Sequence, residues 1–209
     1  GELPTPISKN NPYLKSDEIG AFIRQVEADT SGEITKIAIL LTLHCLTRTQ
    51  ETRFAQWSEF DLEAKLWRLT AERMKMKKPH AIPLTPQVIA LLERLRPFTG
   101  HQPYLFWNSS IGKPFSENAM LQVLYRLGLK GKLTIHGLRG TGSTALNEAG
   151  FRSDIIETAL AHIEKNAVRA AYNHADYLEE RIPMMHWWSD YLEGVEQGAH
   201  IIPIRHKAV

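Results

Sequence analysis

Between Glu33 and Leu43 the chain is apolar on almost every face of a helical wheel, with Ile34, Ile37, Ile39, Leu40, Leu41 and Leu43 leaving no continuous polar stripe. A helix with one wet face repeats its apolar residues every third or fourth position, so a segment of this kind must be covered on all sides. It predicts a central helix with the other elements packed around it. At 209 residues the chain is long enough for one sizeable core, and length alone allows one domain or two.

The flanking segments supply the cover. Ile19, Phe22, Ile23 and Val26 have the rhythm of a single buried face, with Ser16 as the expected cap. Thr30, Ser31, Gly32 and Glu33 have the form of a capping box for the central helix, which is expected to run to about Arg48. The period then changes. Leu66–Thr70, Ala81–Leu84 and Tyr104–Trp107 are short and rich in β-branched or aromatic residues, which predicts a small antiparallel sheet with Pro83 at a strand end or edge. Thr85 and Pro86 open a further helix that should close before Pro97, and Ser116 opens another that stops at Gly128. Helices are also expected over Leu138–Ala149, Ser153–His162, Lys165–Tyr172 and Tyr177–Leu192. The predicted class is mainly α with a small antiparallel β-sheet (α+β).

Composition excludes more than it identifies. An apolar fraction of 43% with 23% charged residues is that of a soluble globular chain. No apolar run reaches membrane-spanning length and there is no signal-peptide pattern, so no membrane partner is expected and the cytoplasm is the expected location. The single cysteine, Cys45, rules out an internal disulfide and a paired-thiolate zinc site, and its apolar helix predicts a buried thiol. The net charge is only +2, but Arg73–His80 holds four Lys or Arg and no acid. Such a strip is compatible with DNA and is also common on solvated faces.

The chemistry concentrates in His136-Gly137-Leu138-Arg139, where a turn enters a helix. The spacing puts both side chains on one side of the first helical turn, beside free backbone amides that favour an anion. Arg48 and Lys75 lie upstream, and His162 and Tyr172 downstream, ten residues apart. Breaking a phosphodiester covalently needs a nucleophile, an acid for the leaving oxygen and cations aimed at the developing charge. Tyr172 can supply the nucleophile, and Arg48 and Arg139 can hold the non-bridging oxygens with planar forks. Lys75 can protonate the departing oxygen, and His136 and His162 can donate to the phosphate or relay a proton. Carboxylates able to converge on divalent ions are missing from the pattern: Asp61 with Glu63, and Glu157 with Glu164, read as solvated surface.

Taken in chain order, this set of Arg, Lys, His-x-x-Arg, His and Tyr resembles the tyrosine recombinase family, and more narrowly its prophage-type integrases, over about Tyr13 to Tyr191. The resemblance implies a tyrosine recombinase catalytic domain and site-specific DNA recombination, as in prophage integration or excision, through a 3′-phosphotyrosine link and a free 5′-hydroxyl. The link conserves bond energy, so no cofactor and no metal is implied. It further implies that Glu51 supports Arg48 and that double-stranded DNA attachment sites are the partners. The protein is expected as a homotetramer on DNA and a monomer when free, with accessory bending or directionality proteins. Residues 1–12 are then a linker from a missing upstream DNA-binding domain, 13–196 the catalytic domain, and 197–209 a tail that docks on a neighbouring protomer or frays.

Alternatives stay open at this stage. Tyr177 competes with Tyr172, Arg53 with Arg48, and Lys77 and Lys78 with Lys75. Cys45-Leu46-Thr47 departs from the Thr-Gly-x segment that usually precedes the family's arginine, while Trp57-Ser58-Glu59-Phe60-Asp61 supports the register. The same residues would serve a type IB topoisomerase, and a non-catalytic DNA-binding relative could keep the fold. Met184, Met185, Trp187 and Trp188 are expected to pack rather than to stack on bases.

Overall fold

The segment that is apolar all round forms the central helix of the structure, a computed structural model that describes residues 11–162 and 177–199. In chain order the helices are α1 (Ile19–Ala28), α2 (Glu33–Cys45), α3 (Thr49–Arg53), α4 (Pro86–Thr99), α5 (Asn118–Arg126), α6 (Gly137–Glu148), α7 (Ser153–Ala159) and α8 (Leu178–Glu196). Between α3 and α4 lie β1 (Phe60–Asp61), β2 (Leu66–Leu69) and β3 (His80–Pro83), and between α4 and α5 lie β4 (Trp107–Asn108) and β5 (Lys113–Pro114). Helix α2 is buried without interruption from Ile37 to Cys45, and it packs against α1, α3, α4, α5, α6 and α8. The fold is mainly helical with small antiparallel sheets, as the change of period predicts. Met184, Met185 and Trp188 are buried, and Trp187 stacks on Tyr191 with ring centres 5.2 Å apart, so this cluster is packing.

Several local expectations need correction. Ser16 does not cap α1: its hydroxyl donates to Glu148, and Glu18 instead accepts from the Lys15 amide at 2.8 Å. The capping box at α2 does not form, because Asp29 takes the Ser31 amide and the helix starts after Gly32 without a side-chain cap. Pro97 lies inside α4, which continues to Thr99. One lost amide next to the exposed Glu93 carbonyl is tolerated in a last turn that Leu95 and Thr99 still bury. The three-stranded sheet has the order β1-β2-β3, and Tyr104–Trp107 is not part of it. Only Trp107 of that segment enters a strand, in the separate β4–β5 hairpin. The third place goes to Phe60–Asp61, too short for a period to reveal, where Phe60 stacks on the buried Trp67 at 4.7 Å. Pro83 ends the edge strand β3, as expected. The helix expected over Lys165–Tyr172 lies outside the described residues.

Polar groups on α2 are paired rather than solvated. The Val88 amide donates to Thr85 Oγ1 at 3.3 Å, Thr85 Oγ1 donates to Ser189 Oγ at 2.9 Å, and Ser189 Oγ meets His44 Nδ1 at 2.9 Å. The Ser189 proton must therefore point at His44, which is neutral with its own proton on Nε2. Burial lowers the His44 pKa from 6.5 to about 4, and burial with the nearby Arg181 charge does the same at His80 on β3. The unfolded chain binds these two protons near pH 6.5 and the folded chain only near pH 4, so stability present at neutral pH is lost as pH falls through that window. Each histidine contributes on the order of 1–3 kcal/mol to this loss. The thermal midpoint should fall steadily between pH 6.5 and 4, and His44→Gln, which keeps an acceptor without titrating, should flatten the slope; an unchanged slope in that variant would contradict the assignment.

Candidate active site

Helix α2 ends at Cys45 and the next residue, Leu46, adopts the left-handed conformation with φ 54°. Arg48 does not close this helix, as the sequence suggested, but begins the next one as the residue before α3. Its amide donates to Glu51 Oε2 at 2.7 Å, its guanidinium donates to Glu51 Oε1 at 2.7 Å, and a second arm reaches the Ala161 carbonyl at 3.0 Å. The Glu51 side chain is only 5% exposed, so this is no ordinary surface pair. Arg53, the alternative to Arg48, is held elsewhere: it donates to the Phe115 carbonyl at 2.8 Å and pairs with Glu117.

Arg139 lies in the first turn of α6 and is 3% exposed. One arm of its guanidinium donates to the Leu46 carbonyl, and the other donates to the Leu160 carbonyl at 2.5 Å and contacts His162 Nε2 at 3.2 Å. Both carbonyls belong to helix C-termini, where the peptide dipoles favour a cation. Burial, reinforced by the Arg48 charge, lowers the Arg139 pKa to about 10, which leaves it charged at neutral pH. A guanidinium has no acceptor, so His162 Nε2 must accept and its proton lies on Nδ1, 2.7 Å from Glu157 Oε2. Glu157 is an exposed surface acid, as its sequence suggests, and it pairs with His162 from there; Glu164 lies outside the described residues.

His136 immediately precedes α6 and is exposed. Its pKa is lowered by partial burial and then by the charges of Arg139, Arg48, His162 and Lys75, which places it in their common field. Lys75 comes from the connection between β2 and β3 and lines a cleft of about 920 Å³ together with Arg48, Glu51, Arg73, Lys77, and His136. Of the six expected catalytic side chains, Arg48, Lys75, His136, Arg139 and His162 are therefore brought together. Tyr172 lies outside the described residues, and its alternative Tyr177 precedes α8 with the Arg152 guanidinium 5.6 Å from its ring centre.

Two close approaches set the position of α6. A Cβ at Gly142 would lie 2.3 Å from the Leu46 side chain, and one at Gly137 would lie 2.0 Å from the Pro12 carbonyl oxygen. The Leu14 amide also donates to Thr141 Oγ1 at 2.9 Å, fastening the N-terminal segment to the same helix. Gly137 thus serves contact rather than turn geometry.

The sequence profile of the phage integrase family matches residues 12–179. The chain belongs to this family of tyrosine recombinases. It is 38% identical over 198 residues to the prophage integrase IntA of Escherichia coli K12, covering 94% of this chain and 48% of that protein. The chain thus spans about half the length of the curated relatives it matches. Among solved structures, the integrase from mycobacterium phage Brujita aligns with a TM-score of 0.63 at 18% identity, over 89% of this chain and 60% of that one. The XerH site-specific recombinase bound to difH substrate aligns with a TM-score of 0.61 at 19% identity, over 82% of this chain and 53% of that one. These likenesses establish a tyrosine recombinase catalytic fold. Leu46 stands where the family segment usually has glycine, and it accepts the left-handed conformation, which costs a side chain roughly 1–2 kcal/mol. Its burial to 1% exposure offsets this.

Sequence reasoning missed the carbonyl anchors of Leu46, Leu160 and Ala161, which have no side-chain signature. Arg139→Met, similar in length but without donors, should leave two buried carbonyls unpaired and lower stability by roughly 2–5 kcal/mol in chemical denaturation. A loss below about 1 kcal/mol would show that these contacts contribute little. Gly137→Ala should destabilise by about 1–3 kcal/mol through its collision with Pro12, while the same change at the open Gly131 in place of that clash meets only its positive φ.

Proposed function

We propose that this chain is the catalytic part of a prophage-type integrase that cuts and rejoins double-stranded DNA at attachment sites. The reading is carried by one observation: Arg48 and Arg139 are anchored on the adjacent carbonyls of Ala161 and Leu160, with His136, His162 and Lys75 grouped around them. A cluster of this charge complements a phosphodiester passing to a more negative transition state.

In the proposed reaction, the Tyr172 oxygen attacks the scissile phosphorus while the bond from phosphorus to the 5′ oxygen breaks. Arg48 and Arg139 hold the non-bridging oxygens, and Glu51 keeps the Arg48 fork in place. The phenol proton passes to a neutral imidazole, and the lowered pKa of His136 keeps it available as an acceptor at neutral pH. Lys75 gives a proton to the departing 5′ oxygen. The product is a 3′-phosphotyrosine and a free 5′-hydroxyl, and attack by the 5′-hydroxyl of a partner strand reverses the step.

Residues 1–12 would then connect to an upstream DNA-binding domain, 13–196 form the catalytic unit, and 197–209 a tail. Four protomers would assemble on paired sites in the bacterial cytoplasm, with accessory bending or directionality proteins choosing the direction. The test is incubation with a nicked duplex carrying the attachment core, in chelator, followed by denaturing electrophoresis and peptide mapping. A covalent adduct on Tyr172 that is lost in Tyr172→Phe is the expected result. An adduct on Tyr177 would overturn the choice of nucleophile, and DNA binding without any adduct would overturn the catalytic reading.

A further inference from the structure

Lys75 reaches the cleft from the long connection between Leu69 and His80, and an acid on such a loop is effective only if the loop is fixed. Short turns give local shape: the Arg73 amide bonds the Thr70 carbonyl, Met74 that of Ala71, and Lys77 that of Met74. Met74 is buried. The long-range attachment comes from Arg73, two residues before Lys75. Its Nε donates to Glu59 Oε1 at 2.7 Å, and one Nη donates to the Glu51 carbonyl at 2.9 Å and more distantly to Glu59 Oε2 at 3.4 Å. The two side chains are only 17% and 10% exposed. Glu59 is itself fixed by the Trp67 indole at 3.0 Å and the Gln56 amide at 3.2 Å.

Arg73 therefore does not belong to a solvated cationic strip. It joins the Lys75 connection to Glu51, the residue whose carboxylate holds Arg48. We propose that Arg73, fixed by Glu59 and the Glu51 carbonyl, is a positioning residue that sets Lys75 relative to Arg48 for protonation of the leaving 5′ oxygen. The inference rests on the role given to Lys75 above. Its geometry calls for arginine: a planar fork satisfies a carboxylate and a carbonyl together, whereas a single ammonium offers no such fork.

The proposal has a chemical signature that a purely structural role lacks. When the 5′ bridging oxygen is replaced by sulfur, the phosphorus–sulfur bond breaks with departure of a thiolate, which needs no proton. Adduct formation is measured for the wild-type chain, Arg73→Ala, Arg73→Lys and Lys75→Ala, on nicked attachment-core duplexes with bridging oxygen or bridging sulfur. On oxygen, Arg73→Ala should slow the reaction by about tenfold to a hundredfold, within the range of a misplaced general acid. On sulfur it should return to near the wild-type rate. Arg73→Lys, which keeps the ion pair with Glu59, should show the same pattern more weakly and serves if the alanine variant does not fold. Equal slowing on both substrates, or none on oxygen, would overturn the proposal. Lys75→Ala separates the two claims: if it is not rescued by sulfur, the role of Lys75 fails and the inference with it, whereas rescue of Lys75→Ala without rescue of Arg73→Ala defeats only the inference.

Discussion

A buried guanidinium must find acceptors, and in this fold they come from peptide carbonyls left free where helices end. Arg139 meets Leu46 at the end of α2 and Leu160 at the end of α7, and Arg48 meets Ala161 one residue further on. Leu46 and Ala161 are both left-handed, with φ 54° and 47°, so each helix turns sharply where its carbonyls are needed. Removing these acceptors would leave a nearly buried charge without compensation, a far larger penalty than any surface ion pair could offset. The central position of α2 thus has a consequence beyond packing: its C-terminus is where the arginines from α6 and from the start of α3 converge.

Electrostatic balance in the cleft follows from the same constraint. Arg48, Arg139, Lys75 and Arg73 crowd one region, and fixed carboxylates offset part of the charge: Glu51 against Arg48, Glu59 against Arg73, with Glu157 on His162. The residual positive field lowers the pKa of His136 after partial burial has done so. What remains is a pocket that favours an anion while its histidine stays neutral. The N-terminal segment contributes as well, because Pro12 and Leu14 rest on Gly137 and Thr141 in the helix that carries Arg139.

Much of this was legible in the residues. The all-round apolar run located α2, the change of period located the sheet, and the ordered set of basic residues named side chains that the fold gathers around one cleft. Several of the misreadings share a cause, a partner distant in sequence. Ser16 turned to Glu148, far along the chain, rather than to its own helix. Phe60–Asp61 became a strand because Trp67 paired with it, though two residues have no period. Arg73 looked like a solvated charge because its partner, Glu59, is identified only by the fold. The backbone anchors could not be read from side-chain chemistry at all.

The most direct measurement is a crystal structure of the chain on a nicked attachment-core duplex. The account predicts that the non-bridging oxygens of the scissile phosphate lie within hydrogen-bonding distance of the free N–H groups of Arg48 and Arg139. Arg139 should meanwhile remain on the carbonyls of Leu46 and Leu160. A phosphate bound elsewhere, or an Arg139 side chain that leaves both carbonyls to reach it, would contradict the claim that helix ends hold this site in place before DNA arrives.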